Sequence, residues 1–175
     1  MNNDQIEIIL GRENDKPIFR NLMQLYKYDT SDYTLEDPSS FGLYEYRYLD
    51  HYWTPHGIHE EGRKAYLIKL QGQLAGFVLV NNHSLKNSIN QPVMSIAEFF
   101  VMRKWRRYGV GRFVAYHIFD TFDGEWEVKQ EKENRTAQIF WESIINEYTN
   151  GKYIRLESHE PEWDGPVIRF RKEIE

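Results

Sequence analysis

Apolar and polar positions along this chain change period several times, and each change marks an element. The run Ile6 to Leu10, stopped at Gly11, predicts a first strand. Ile18, Leu22, Leu25 and Tyr26 then fall at helical spacing, with Asp15 placed to cap the helix and Pro17 in its first turn. Asp29 to Ser40, rich in Ser, Thr, Asp and Pro, reads as a loop, and Phe41 to Trp53 as a short helix ending before Pro55. Lys64–Leu70 and Leu74–Val80 predict two strands joined by the turn Gln71-Gly72-Gln73. After a polar loop from Asn81 to Gln91, the apolar run from Pro92 to Glu98 predicts a buried central strand that continues through Phe99, Phe100 and Val101.

The second half repeats the alternation of periods. A helix is expected from Val110 to about Phe122, a turn at Asp123-Gly124, and a strand over Trp126–Gln130. Asn134 through Tyr148 is helical, with Ala137, Phe140, Trp141, Ile144, Ile145 and Tyr148 on one face and Asn150-Gly151 as its stop. Tyr153–Glu157 and Val167–Arg171 alternate as two last strands, separated by a segment from Pro161 to Pro166. The order is strand, helix, helix, three strands, helix, strand, helix, two strands, which is a mixed α/β chain.

Length changes this picture little: 175 residues fit one domain, 1–175, with a full core. A net charge of -5 argues against a general nucleic-acid binder, because the cations near 103–112 stand alone on an acidic background. The absence of cysteine excludes a thiol nucleophile, a disulfide framework and a Cys-based zinc site. His51, His56 and His59 suggest a metal, but Pro55 and Gly57 break their segment and no His-Glu-x-x-His occurs, so no metal site is expected. No apolar run approaches membrane-spanning length and Met1-Asn2-Asn3-Asp4 does not open a signal peptide, so a cytoplasmic protein without a membrane partner is expected.

Chemistry concentrates between the central strand and the helix that follows it. Gly109 and Gly111 let the backbone turn sharply, and the first amides of the following helix lack intrahelical partners. Arg103, Lys104, Arg106, Arg107 and Arg112 surround that positive helix end, an arrangement suited to a pyrophosphate. Neither a Walker loop nor a dinucleotide fingerprint fits, since no Lys-Ser/Thr and no third glycine follow Gly111. A basic, solvated strand-to-helix turn would look the same if the stretch stood alone.

The spacing Val101-x-x-x-x-Arg106-x-x-Gly109-x-Gly111 resembles the acyl-CoA-binding motif of the GNAT superfamily of N-acetyltransferases. A second stretch, Asn134-Arg135-Thr136-Ala137-Gln138-Ile139-Phe140-Trp141, is similar to that family's Asn-x-x-Ala-x-x-Phe/Leu-Tyr segment. The order of elements is similar to the GNAT fold over nearly the whole chain. The resemblance implies a mostly antiparallel seven-stranded sheet with about four helices, whose central strands splay to admit a pantetheine arm. It implies acetyl-CoA as cofactor, held by Phe99, Phe100, Val101, Arg106, Arg107, Tyr108, Gly109, Val110, Gly111, Arg112, Asn134, Ala137, Phe140 and Trp141. Read without the resemblance, Asn134 is a helix cap, and Ala137, Phe140 and Trp141 are core packing on an amphipathic helix.

The implied reaction is direct attack of an amine on the thioester in a ternary complex, with a backbone N–H near Phe100 or Val101 polarising the carbonyl. Glu98 would be the base, or else a structural carboxylate. Trp141 stands where the family commonly has a Tyr acid; Tyr148, two turns on, is the remaining hydroxyl candidate and is equally a core aromatic. Tyr44, Tyr46, Tyr48, Tyr52 and Trp53, with Glu45, Asp50, Glu60 and Glu61 nearby, would roof a cationic amine. The expected partner is a small-molecule or peptide amine, with a homodimer admitted. The second reading is a GNAT-like domain that binds acyl-CoA as a signal with little turnover.

Overall fold

The computed structural model describes residues 5–85 and 93–172. Seven strands, β1 (Ile6–Leu10), β2 (Lys64–Leu70), β3 (Gln73–Asn81), β4 (Met94–Val101), β5 (Glu125–Lys129), β6 (Tyr153–Glu160) and β7 (Trp163–Arg171), build one sheet. Their order is β1-β2-β3-β4-β5-β7-β6. All neighbours run antiparallel except β4 and β5, which are parallel. Four helices accompany the sheet: α1 (Lys16–Thr34), α2 (Pro55–His59), α3 (Val110–Thr121) and α4 (Arg135–Tyr148). The expected mixed, mostly antiparallel architecture is the one found. Among the described residues no helix is long and apolar enough to cross a membrane.

Strand β3 explains how the layers form. Its continuous apolar run is buried on both faces, as a central strand requires. Val78 and Val80 meet Val114, Ile118 and Ile145 of the α3/α4 layer, whereas Phe77 and Leu79 join Phe19, Leu22 and Met23 of α1. Phe77 has no exposed surface, and truncating such a ring to Ala typically costs about 3–5 kcal/mol.

Three element boundaries differ from expectation. Helix α1 does not stop at Asp29 but continues to Thr34, because tertiary partners hold Asp29 and Tyr33 on its last turns. It ends at Leu35, whose φ of 55° is left-handed and whose N–H bonds the Ser31 carbonyl at 3.1 Å. The expected helix over Phe41–Trp53 is absent; only Leu49–Trp53 forms a 3-10 turn, and the α-helix begins after Thr54, whose Oγ1 accepts the Gly57 N–H at 3.0 Å. Strands β6 and β7 form a tight hairpin with Glu160 opposite Trp163, so Pro166 lies inside β7. The strand start expected at Pro92, most of the loop before it and the chain start at Met1 to Asp4 lie outside the described residues.

One irregularity in β4 positions the site. Leu79 pairs with Glu98 but Val80 pairs with Ile96, so Ala97 is an extra residue on β4. Ala97 and Phe100 pack on the α1 side, whereas Ile96 and Phe99 pack on the α3/α4 side. The bulge therefore puts Ala97 and Glu98 on one face in succession. Pairing with β5 covers only Met94, Ser95 and Ile96. Beyond that point the two central strands diverge, as the splayed reading requires.

Candidate functional site

Glu98 sits on β4 just past the last residue paired with β5. The hydroxyls of Tyr26 on α1 and Tyr46 in the loop before β2 face its carboxylate closely enough to perturb its pKa. Burial raises its pKa above the ordinary carboxylate range, and the two phenols only partly offset that. Burial and the adjacent Glu98 charge push both tyrosines up, so they stay protonated as donors. A buried carboxylate whose pKa is raised is a stronger base than an exposed one, and this one stands at the opening of the sheet.

The same strand offers backbone groups to the gap. The Met102 N–H bonds the Ala75 carbonyl at 2.8 Å, and alternation in an antiparallel ladder then turns Phe100 and Glu98 toward β3. Phe99 and Val101 consequently present their N–H and C=O groups to the side that β5 has left. The Val101 carbonyl is taken by Arg106 Nε at 2.7 Å; its N–H is the donor that the alternation leaves facing the cleft.

The turn between β4 and α3 folds as the glycine pattern anticipates. Gly109 caps α3 with a left-handed φ of 81°, and a Cβ built there would meet nothing within 4 Å. Among the described residues no side chain caps this helix, which leaves the amides of Val110, Gly111 and Arg112 open there at its positive end. Gly111 serves differently: a Cβ there would come within 3.1 Å of the Phe140 ring, which brings the start of α3 against α4. Tyr108 and Arg107 are exposed on the turn, Arg107 with a left-handed φ of 65°.

The cations of the turn are partly committed. Arg103 Nε and the Arg106 guanidinium both bind Asp29 of α1, the former at 2.7 Å. Burial would raise the Asp29 carboxyl, but these two guanidiniums outweigh it and hold the pKa below the usual range. Arg106 thus ties the turn to α1 and to β4. Arg112 pairs with Glu147, and Lys104 lies 4.4 Å from the Trp105 ring centre.

Asn134 caps α4: its Oδ1 accepts the Ala137 N–H at 2.9 Å, and its Nδ2 donates to Tyr33 Oη at 2.8 Å. Phe140 and Trp141 pack on Phe99 with ring centres 5.8 and 4.9 Å apart, so the two motifs meet in space. Tyr148 does not join Glu98. It packs on the opposite face of the sheet, where its hydroxyl donates to Asp120 at 2.7 Å; burial and that bond raise its pKa.

The aromatic segment before β2 divides. Tyr46 enters the site, Tyr52 and Trp53 pack into the core on the α1 side, and Tyr48 is exposed beside His51. Gln24 pins the segment by bonding both the N–H and the carbonyl of Tyr44, at 2.7 and 2.9 Å. Asp50 and Glu61, two of the acids expected to draw a cation, are held by Arg20 at 2.8 Å and Arg63 at 2.6 Å. The sequence offers Tyr26 only as an apolar residue of the first helix and gives Asp29 and Tyr33 no part in the site. Their spacing of three and four residues was the available signal, and it required knowing that α1 continues past Asp29.

The model of the acetyltransferase (GNAT) family matches residues 22–145. No curated protein matches the chain in sequence. Among solved structures, an acetyltransferase from Thermus thermophilus superposes with a TM-score of 0.68 at 11% identity, over 96% of this chain and 97% of that one. Spermidine N-acetyltransferase from Vibrio cholerae, in complex with CoA and spermine, gives 0.62 at 18% identity over 95% and 94%. The ribosomal-protein-S18-alanine N-acetyltransferase from Escherichia coli gives 0.60 at 10% identity over 97% and 96%. At these identities the likeness is one of fold.

Proposed function

The chain belongs to the GNAT acetyltransferase family, and from that premise we propose that it transfers an acetyl group from acetyl-CoA to a primary amine of a small molecule or an exposed amino group, by direct attack in a ternary complex. The observation that carries the reading is Glu98, a carboxylate of raised pKa faced by two tyrosines where β4 leaves β5. The residues fit the cofactor: the tip of α3 has open space at Gly109 and amides without side-chain caps for a diphosphate, and the splay leaves the Phe99 backbone groups and the Val101 N–H facing an extended arm. Bound there, acetyl-CoA supplies an acyl group activated as a thioester.

The chain's own contributions then follow. Val110, Gly111 and Arg112 hold the anion, and the Val101 N–H is placed to bind a carbonyl oxygen. Glu98 Oε takes the proton of the acceptor ammonium, and the facing hydroxyls of Tyr26 and Tyr46 stabilise the carboxylate until then. Tyr46 links that base to the segment that roofs the cleft. The acceptors named for the Vibrio cholerae and Escherichia coli neighbours, a polyamine and a protein alanine, are both amines.

The test is thiol release from acetyl-CoA against polyamines, aminoglycosides, amino acids and peptides. Turnover with any amine supports transfer. Trp141 favours a second reading, since it is a buried core ring in van der Waals company with Phe99 and Phe140 and offers no hydroxyl acid. Tight CoA binding with silence across the whole panel would select that binding-only role.

A further inference from the structure

Trp126 and Val128 of β5 pack on the α3/α4 side of the sheet. Alternation therefore turns Glu127 and Lys129 to the α1 side, the face that carries Ala97 and Glu98. Ser95 pairs with Glu127 in the last stretch where β4 and β5 are joined, and Lys129 follows two residues on, level with Ala97 across the opening. Val167 and Arg169 of β7 stand opposite Lys129 and Glu127 on the same face. Two cations and one carboxylate thus share the face that carries the proposed base, and they are not equally paired. Glu127 has no exposed surface; its Oε2 receives Arg169 Nε at 2.8 Å and its Oε1 receives the Leu85 N–H at 2.8 Å. Lys129 donates to the His83 carbonyl at 3.1 Å, a neutral acceptor, and among the described residues no carboxylate pairs with it.

Lys129 is only partly buried, so it stays within reach of a ligand. Burial lowers its pKa, and the neighbouring Glu127 charge only partly offsets that. An ammonium has three hydrogens to donate, and one carbonyl uses one of them. Trp163 stands beside it, with Lys129 Nζ 5.8 Å from the ring centre. The indole lies back on Gly165, where a Cβ would come within 3.4 Å of its nitrogen, and its N–H has no acceptor among the described residues. The wider end of the opening has the opposite sign. Glu131, two residues past Lys129, lies close enough to Glu98 to raise its pKa. A molecule entering on this face meets carboxylates where the strands stand apart and an unmatched ammonium where they join.

We propose that Lys129 binds a carboxylate carried by the acceptor, which makes the substrate a small amine that also bears an acid, as an amino acid does, with its amine at Glu98 and its acid at Lys129. The assignment rests on the acetyl-transfer reading above and narrows its acceptor. A carboxylate accepts through two oxygens, which suits an ammonium with hydrogens still to give. Arg169 does not compete for it, because its charge is already balanced by Glu127. A polyamine would instead set a second ammonium against Lys129, a like-charge contact that selects against it.

The experiment is steady-state thiol release from acetyl-CoA by the full chain with matched acceptors: α-amino acids against their carboxamides, β-alanine and γ-aminobutyrate against alkylamines of equal length, and spermidine. Within each pair the acid-bearing member should lead in kcat/KM by roughly ten- to a hundredfold, the order of a charge-assisted hydrogen bond. Lys129→Met should erase that preference, chiefly by raising KM for the acid-bearing member, and Lys129→Arg should keep most of it, which a merely structural role would not produce. A wild-type preference for spermidine or the acid-free amines, or a preference that survives Lys129→Met, would overturn the carboxylate site while leaving acetyl transfer intact. Silence with every amine would overturn both.

Discussion

Glu98→Gln separates chemistry from stability and does so with opposite signs. Gln keeps the shape, its amide can still face the hydroxyls of Tyr26 and Tyr46, and only the charge is lost. A general base is worth about 10²–10⁴ in turnover, so the role proposed for Glu98 predicts a loss of that order, to be read by thiol release with whichever amine the panel identifies. The stability effect needs no acceptor. Burial raises the pKa of Glu98 in the folded chain, whereas in the unfolded chain it is about 4.3. Below that value the group is protonated in both states and the variant should melt with the wild type. As pH rises, the unfolded state sheds the proton first and gains stability that the folded state does not share, so the wild type loses ground until pH passes the folded pKa. Gln does not titrate, and the variant should therefore be the more stable protein at neutral pH. Each unit of upward displacement corresponds to about 1.4 kcal/mol, and each kcal/mol to about 2–4 °C in a domain of this size. Other groups with shifted pKa values, such as Asp29, are common to both proteins and cancel in the difference. Melting curves from about pH 4 to pH 8 test it. A difference that stays constant with pH, or a variant that melts lower at neutral pH, refutes a strained carboxylate and the base assignment with it.

Gly109→Leu should abolish CoA binding by calorimetry, at a stability cost of about 1–2 kcal/mol for a side chain forced left-handed; unaltered affinity would count against the α3 tip. Arg169→Met should cost about 3–5 kcal/mol by taking away the guanidinium partner of the Glu127 carboxylate, which has no exposed surface, receives Arg169 Nε at 2.8 Å and would keep the Leu85 N–H at 2.8 Å. Adding Glu127→Gln should restore much of that melting temperature, and failure to restore it would show that the charge was not the cause. Tyr33→Phe removes the acceptor of Asn134 Nδ2 and should lower stability by about 1 kcal/mol without loss of CoA affinity; a parallel loss would place Tyr33 in the cofactor site.

The elements with a strong period were legible. Alternation and runs located all seven strands, and the glycine spacing located the α3 tip that the structure leaves open. Registers were not legible, because nothing in Ser95-Ile96-Ala97-Glu98 says which residue will be supernumerary against β3. The partners of Glu98 were hidden for the same reason. Tyr26 reads as one more apolar residue on a helix face until α1 is laid across β4, and Tyr46 reads as one aromatic among several. The Asp29–Tyr33 turn was lost because Ser, Thr and Asp favour loops locally, and their helical state depends on Arg103, Arg106 and Asn134, which lie far off in sequence.

Those distant bonds give α1 a part that its amphipathic pattern does not suggest. Tyr26, Asp29 and Tyr33 follow one another at three and four residues, so they form a single stripe. Tyr26 faces Glu98, Asp29 holds the turn that leads into α3, and Tyr33 meets the cap of α4. Strands β4 and β5 have parted before reaching this level, and no ladder hydrogen bond joins their ends. Helix α1 is thus the element that ties the β4 side of the opening to the α4 side. A sheet that opens for a ligand surrenders its own cross-strand bonds there, and a polar stripe on a helix packed across the gap restores the connection without closing it.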